Sequence, residues 1–327
     1  MSSTNTNPRI QANLNIIYPI WIEHEKELNR LKAKYPDITF NGGVHLKDGP
    51  RSKAHTERDE WGCLWHYPGR GMAGQAVEFP LEDWNSLETW NHPTPEDARK
   101  KAMNEIEKQD NSAETIFCWL EHGFLFLRLT YLRGFNNFMI DVAEDNPMIY
   151  KLRDIVVDYW YEYVKTRVEN GTNHVRGGDD LGLQKSLPIS PDAWRRLIKP
   201  GFMKIFEPAR EKGLEIYLHT DGYILDIIPD IIDTGVTTLN PQDLVNGLDN
   251  LRKIAKGRVN INLDIDRQKI TVFGTPSEID THIRECIETL GSAEGGLSLQ
   301  YGVYEGTPIE NITAVVEAIE KYRDMWA

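Results

Sequence analysis

From about residue 115 onward the chain alternates between short apolar runs and longer helical patterns, and this alternation constrains its fold most. The apolar runs are 115–120 (TIFCWL), 174–178, 215–219 (EIYLH), 237–240 (TTLN), 259–264 (VNINLD) and 297–301 (LSLQY). Between them lie clear helix starts. Ser190-Pro191 precedes Trp194, Leu197, Ile198, Phe202 and Ile205 at helical spacing. Thr275-Pro276-Ser277-Glu278 and Thr307-Pro308-Ile309-Glu310 both read as capping boxes with proline at the first helical position. Gly213, Gly235, Gly257 and Gly291 each stand just before an apolar run, where a helix must stop. Buried strands alternating with helices require parallel pairing and right-handed crossovers. No strand is followed by a glycine-rich phosphate loop, and Gly69-x-Gly71 has neither a strand before it nor a helix after it. The expectation is therefore an α/β chain folded as a (β/α)8 TIM-type barrel.

A chain of 327 residues suits one such barrel with an irregular N-terminal extension. Residues 1–110 are read as an extension or cap packed on the barrel, and 111–327 as its main part, in one domain overall. Residues 59–80, rich in Trp, Gly and Tyr, read as loops or a small antiparallel piece; 81–90 reads as a short helix and 97–109 as a longer charged one.

The net charge of -13 disfavours nucleic acid and anionic membranes as partners. No apolar run reaches the ~18 residues of a membrane helix. The start MSSTNTNPRIQ has no basic n-region and no apolar core, so no signal peptide is expected. Cys63, Cys118 and Cys286 are odd in number and far apart, which argues against a disulfide framework and for a cytoplasmic protein.

In a barrel of this kind, polar residues at the C-terminal ends of strands face the active site. Here those ends carry Asp179 and Asp180, then His219 and Asp221, then Gln242, then Asp264 and Asp266, then Gln300, Tyr301 and Glu305. Each also has a plain structural use: a carboxylate can cap a turn or pair with an arginine, and a histidine can sit in a core. Their convergence on one rim favours chemistry. His219-x-Asp221 with further carboxylates suits zinc or a similar divalent ion, although two ligands alone do not make a site.

Several segments, in this order and spacing, resemble the uroporphyrinogen decarboxylase superfamily, above all its corrinoid-dependent methyltransferase-like branch. They are Asp59-Glu60-Trp61-Gly62 with Pro80; Gly178-Asp179-Asp180-Leu181-Gly182-Leu183-Gln184; Ile189-Ser190-Pro191-Asp192-Ala193-Trp194 with Lys199-Pro200; Leu218-His219-Thr220-Asp221-Gly222; Leu239-Asn240-Pro241-Gln242; and Gly302 through Thr307-Pro308-x-Glu310-Asn311. The resemblance spans roughly residues 55 to 327. It also implies a TIM-type barrel. The arginine-rich N-terminal motif that binds porphyrin carboxylates is missing, so porphyrin decarboxylation is disfavoured.

The similar methyltransferases hold zinc with a His-x-Cys pair and a later cysteine. His219 matches the histidine, Asp221 stands in place of the first cysteine and Tyr301 about where the second belongs. The resemblance implies a demethylating methyltransferase. Such an enzyme moves a methyl group from a small methylated donor, such as an aromatic methyl ether, to a separate corrinoid protein. Its metal, zinc, falls to His219, Asp221 and Glu305. Catalysis falls to His219, Asp221, Tyr301 and Glu305, and substrate binding to Asp180, Gln184, Gln242, Asp266 and Trp61. Related barrels often pair, so a homodimer is allowed for. Two other functions remain open. One is a decarboxylase or lyase acting on a carboxylated small molecule, with Arg70, Arg128, Arg133 and Arg267 as its candidate cations. The other is a non-catalytic binding protein.

Overall fold

The computed structural model describes residues 9–42, 52–69, 72–109 and 113–327; Arg70 and Gly71 lie outside them. The strands are β1 (Gln11–Ile16), β2 (Ile38–Asn41), β3 (His55–Arg58), β4 (Leu64–Tyr67), β5 (Gln75–Glu78), β6 (Phe117–His122), β7 (His174–Gly178), β8 (Glu215–Thr220), β9 (Thr238–Pro241), β10 (Asn260–Asp264) and β11 (Leu297–Val303). β1, β2 and β6–β11 form one eight-stranded parallel sheet, and helices follow its strands. This is the α/β, (β/α)8 TIM-type fold expected from the alternation. All six apolar runs are strands, each within two residues of its expected ends. β1 and β2 fall outside those runs.

The chain divides into two compact units. The first comprises Met1–His55, Tyr67–Ala73 and Asn240–Ala327. Its strand order is β2-β1-β11-β10, with the end of β9 beyond β10. β1 pairs in parallel with both β2 and β11, and its buried Ala12, Leu14 and Ile16 alternate with more exposed residues, as a strand with one covered face requires. Helices Pro276–Leu290 and Ile309–Tyr322 pack together over this half. Fully buried Arg323 donates to the carbonyls of Ile10 and Asp37, which ties the C-terminal helix to the starts of β1 and β2.

The box at Thr275 forms as read: its hydroxyl accepts from Glu278 N, and Glu278 caps the Thr275 amide. The one at Thr307 does not form. Pro308 is the N-cap in extended conformation and the helix starts at Ile309. Buried Thr307 stands one residue too early, and its amide donates instead to Tyr304 O.

The second unit comprises Thr56–His66 and Gly74–Leu239. Its strand order is β6-β7-β8 and then β9. Helix Pro147–Glu169 packs on Pro95–Glu107 and Lys199–Ile205. Between them Phe124, Phe202 and Phe206 meet ring to ring at 5.0–5.8 Å and are fully buried, each stabilising by about 2–3 kcal/mol. β4 and β5 pair antiparallel, the small piece anticipated for 59–80. Residues 81–90 hold only the 3-10 turn Trp84–Ser86, whereas 97–109 falls on helix Pro95–Glu107, capped by Thr94. Among the described residues no helix is long and apolar enough to cross a membrane. All three cysteines are free and buried.

Candidate active site

In the second unit the C-terminal ends of β6, β7 and β8 bring together two imidazoles and two carboxylates. His122 Nε2 lies 3.3 Å from Asp180 Oδ1. His219 Nε2 lies 3.7 Å from the same oxygen and 3.5 Å from Asp221 Oδ1. The imidazole centroids are 5.8 Å apart.

Local geometry explains each position. Trp119 pairs with Arg176 and His122 with Gly178, so β6 sets three residues against two of β7. Three steps along a regular strand would turn His122 to the face opposite Trp119; this bulge returns it to the same face. Gly178 makes room for the rings. A β-carbon there would lie 2.9 Å from His122 Cδ2 and 3.4 Å from His219 Cδ2.

After β7, Asp179 and Asp180 point in opposite directions. Fully buried Asp179 accepts the amides of Leu125, Phe126 and Leu127, at the N-terminus of helix Phe126–Arg133. Burial pushes its carboxyl up to about 7, with those amides opposing. Asp180 joins the histidines instead. Of the two uses weighed for this pair, capping belongs to Asp179 and the site to Asp180.

The loops that follow are tied to each other. Asp221 N donates to Asp180 Oδ1 at 3.2 Å, Leu181 N to Thr220 Oγ1 at 3.0 Å, and Tyr223 N to Leu183 O at 2.7 Å. Gly222 has φ +84°, and a β-carbon there would meet the Gly182 carbonyl at 2.3 Å. Only glycine allows both the conformation and the approach.

The electrostatics follow from these contacts. The hydrogen bond to Asp180 raises the His122 pKa above its usual value, with burial opposing and Asp179 and Asp221 adding to the rise. For Asp180 burial favours the neutral acid, but the hydrogen bond and charge of His122, with His219 and the Asp221 amide, hold it below the usual carboxylate range.

Beneath β6, Asp59 accepts from Trp61 N, Cys63 N and Trp65 Nε1, and pairs with Arg128 at 2.7 Å. Arg128 also reaches Glu121, the neighbour of His122, at 3.1 Å. The Asp59-Glu60-Trp61-Gly62 segment thus braces the strand that carries His122. Trp61 itself is fully buried, edge-on to Tyr159 at 5.0 Å, so it packs the core and offers no wall to a ligand. Gln184 is exposed on the loop after β7.

The remaining expected residues lie in the first unit. Gln242 is half-buried, and its backbone bridges Asp264. Asp266 accepts the amides of Gln268, Lys269 and Ile270, a turn-capping role. Asp264 pairs with Arg267 at 2.6 Å. Tyr301 is fully buried, and burial pushes its phenol up to about 12. Thr271 and Thr307 are near enough to lower that value, yet among the described residues the Tyr301 hydroxyl has no hydrogen-bond partner. Glu305 is exposed in a turn.

Among the described residues, each unit holds within itself one cluster with the donor atoms of a metal site. His122, Asp180 and His219 place theirs within 4.8 Å of one another, as do Asp243, His282 and Cys286 in the first unit. The second is saturated internally: Asp243 Oδ2 takes His282 Nε2 at 2.7 Å and Asp266 N at 3.0 Å, and all three side chains are buried. The first is half open to solvent. His122 is the residue missed from sequence. Ending β6 at Leu120 hides it, and regular alternation continued to residue 122 would place it on the wrong face, because only the bulge turns it onto the rim.

Residues 126–322 match the Uroporphyrinogen decarboxylase (URO-D) family, and the chain belongs to it. Among solved structures it is similar to a methyltransferase from Methanosarcina mazei, with a TM-score of 0.60 and 16% identity over 96% of this chain and 94% of that one. That likeness supports the fold. A B12-independent methionine synthase from Shewanella sp. W3-18-1 aligns at a TM-score of 0.42 and 10% identity, over 84% of this chain and 74% of that one. Comparison with curated proteins gives no match.

Proposed function

We propose that the protein is a demethylating methyltransferase, which takes a methyl group from a small methylated donor and delivers it to the corrinoid of a separate protein. The observation that carries this reading is the His122–Asp180–His219 cluster, with Asp221 beside it, at the ends of three adjacent strands. Family membership and the fold shared with the Methanosarcina mazei methyltransferase support it.

The cluster fits zinc. Two imidazole nitrogens and a carboxylate oxygen are ordinary zinc ligands. His122, Asp180 and His219 would hold the ion, replacing the set of His219, Asp221 and Glu305 inferred from resemblance. When bound, zinc supplies a Lewis acid for the donor's heteroatom, harder than one held by thiolates. The chain's own residues set the geometry. Gly178 opens the floor, the loops after β7 and β8 fix Asp180 and Asp221, and Asp221 holds the His219 ring from the side.

Three of the four sequence-based cations of the decarboxylase alternative are engaged within the chain, and Arg70 lies outside the described residues. Arg128, Arg133 and Arg267 are each bound to carboxylates at 2.6–2.7 Å. The test is turnover of a panel of methoxybenzoates with cob(I)alamin as acceptor. Zinc-loaded wild type forms the corresponding phenols, and His219→Ala is slower by roughly a hundredfold or more. Equal rates in the two proteins, or carbon dioxide release in place of phenol, would reject methyl transfer at this site.

A further inference from the structure

The face of the sheet that carries His122 and His219 also carries a cation that is unpaired among the described residues. Strand register aligns Trp119, Arg176 and Tyr217 in one row across β6, β7 and β8, and His122, Gly178 and His219 in the next. The alternate residues Cys118, Val175, Ile216 and Leu218 are buried on the opposite, helix-covered face. Arg176 therefore shares the face of the metal cluster, one row below it.

Arg176 is held by stacking. Its guanidinium carbon lies 4.0 Å from the Tyr217 ring centre, 5.1 Å from that of Trp119 and 5.6 Å from that of Phe117. It makes no hydrogen bond or ion pair among the described residues, and its Nε is buried without an acceptor. A half-buried guanidinium with unused donors is costly unless something accepts from it. The other arginines discussed for this unit, Arg128 and Arg133, are bound to carboxylates. Trp119 is 57% exposed although it stacks here, so one wall is open to a planar group.

We propose that Arg176, flanked by Trp119, Tyr217 and Phe117, is an anion subsite that binds the carboxylate of a small aromatic substrate beside the His122–Asp180–His219 cluster. A guanidinium matches a carboxylate with two parallel hydrogen bonds, and the aromatic walls suit a flat ring between carboxylate and reacting group. This deepens the functional reading, from which it takes only that this face is the substrate site. The donor is then a carboxylated aromatic rather than a neutral or cationic methyl compound.

The test is calorimetric binding of benzoate, 4-methoxybenzoate and neutral methoxybenzene to the full-length, zinc-loaded protein. The expected result is a preference of roughly ten- to a hundredfold for the two carboxylates over methoxybenzene. Arg176→Gln abolishes that preference and Arg176→Lys keeps part of it. Trp119→Ala, at an exposed position that leaves folding unaffected, weakens benzoate and methoxybenzene alike. Absence of benzoate binding, equal binding of methoxybenzene, or a preference that survives Arg176→Gln overturns the subsite. Carboxylate binding that requires Arg176, without demethylation of any methoxybenzoate, leaves the subsite standing and removes the methyltransferase reading instead.

Discussion

His122 Nε2 stands 3.3 Å from Asp180 Oδ1 because β6 sets an extra residue against β7, which turns His122 onto the face of the sheet shared by His219. The cluster thus depends on backbone features as much as on its own side chains. That dependence can be tested at residues that ligate nothing.

Gly178→Ala is the sharpest such change. The new methyl group sits 2.9 Å from His122 Cδ2, so the ring must move, while the rest of β7 keeps its pairing. Zinc affinity should fall by roughly tenfold or more, and stability by only about 1–3 kcal/mol. Competition with a chromogenic chelator measures the first and urea unfolding the second. Unchanged zinc affinity would show that the ring positions are not limiting.

Tyr301→Phe tests a role that resemblance suggests and burial argues against. Among the described residues the buried hydroxyl has no hydrogen-bond partner, so its removal relieves an unsatisfied group. The variant should be as stable as wild type or more stable by about 1 kcal/mol. A loss of stability of that size or larger in thermal unfolding would mean that the phenol has a partner.

The His282–Asp243 contact gives the first unit a pH dependence. Burial alone lowers the His282 pKa, but the hydrogen bond and charge of Asp243, aided by Asp266 and Glu285, raise it above the usual 6.5. A raised histidine contributes stability that is complete below its unfolded value and is lost as pH rises through the folded one. Relative to His282→Gln, wild type should therefore lose stability as pH rises above the usual 6.5 through the raised folded value. Urea midpoints across that range measure it. A difference that grows with pH would contradict the sign.

Much of this fold is legible in the sequence, and what is not has identifiable causes. The six strands from β6 to β11 are bounded by glycines and helix caps, so each stands out. β1 (QANLNI) and β2 (ITFN) alternate apolar with polar residues and contain no continuous apolar run, so a search for such runs passes over them. At the site, period-two alternation along a strand separates Asp179 from Asp180 once β7 is placed. No periodicity reveals His122, because the bulge breaks the alternation that would locate it. Arg176 lies inside a correctly placed strand, but a charged residue there reads as an interruption until its neighbours on β6 and β8 are known. Trp61 shows the opposite failure. An aromatic residue in a family-like segment suggests a ligand wall, and packing against Tyr159 removes it.

The most direct test of the central claim is zinc content by elemental analysis, on protein purified without chelator, for wild type, His122→Ala, His219→Ala and Asp243→Asn. About one equivalent in wild type and in Asp243→Asn, lost in both histidine variants, is the expected result. Zinc retained in His122→Ala and His219→Ala, or lost only in Asp243→Asn, would contradict the assignment and move the metal to the buried cluster around His282.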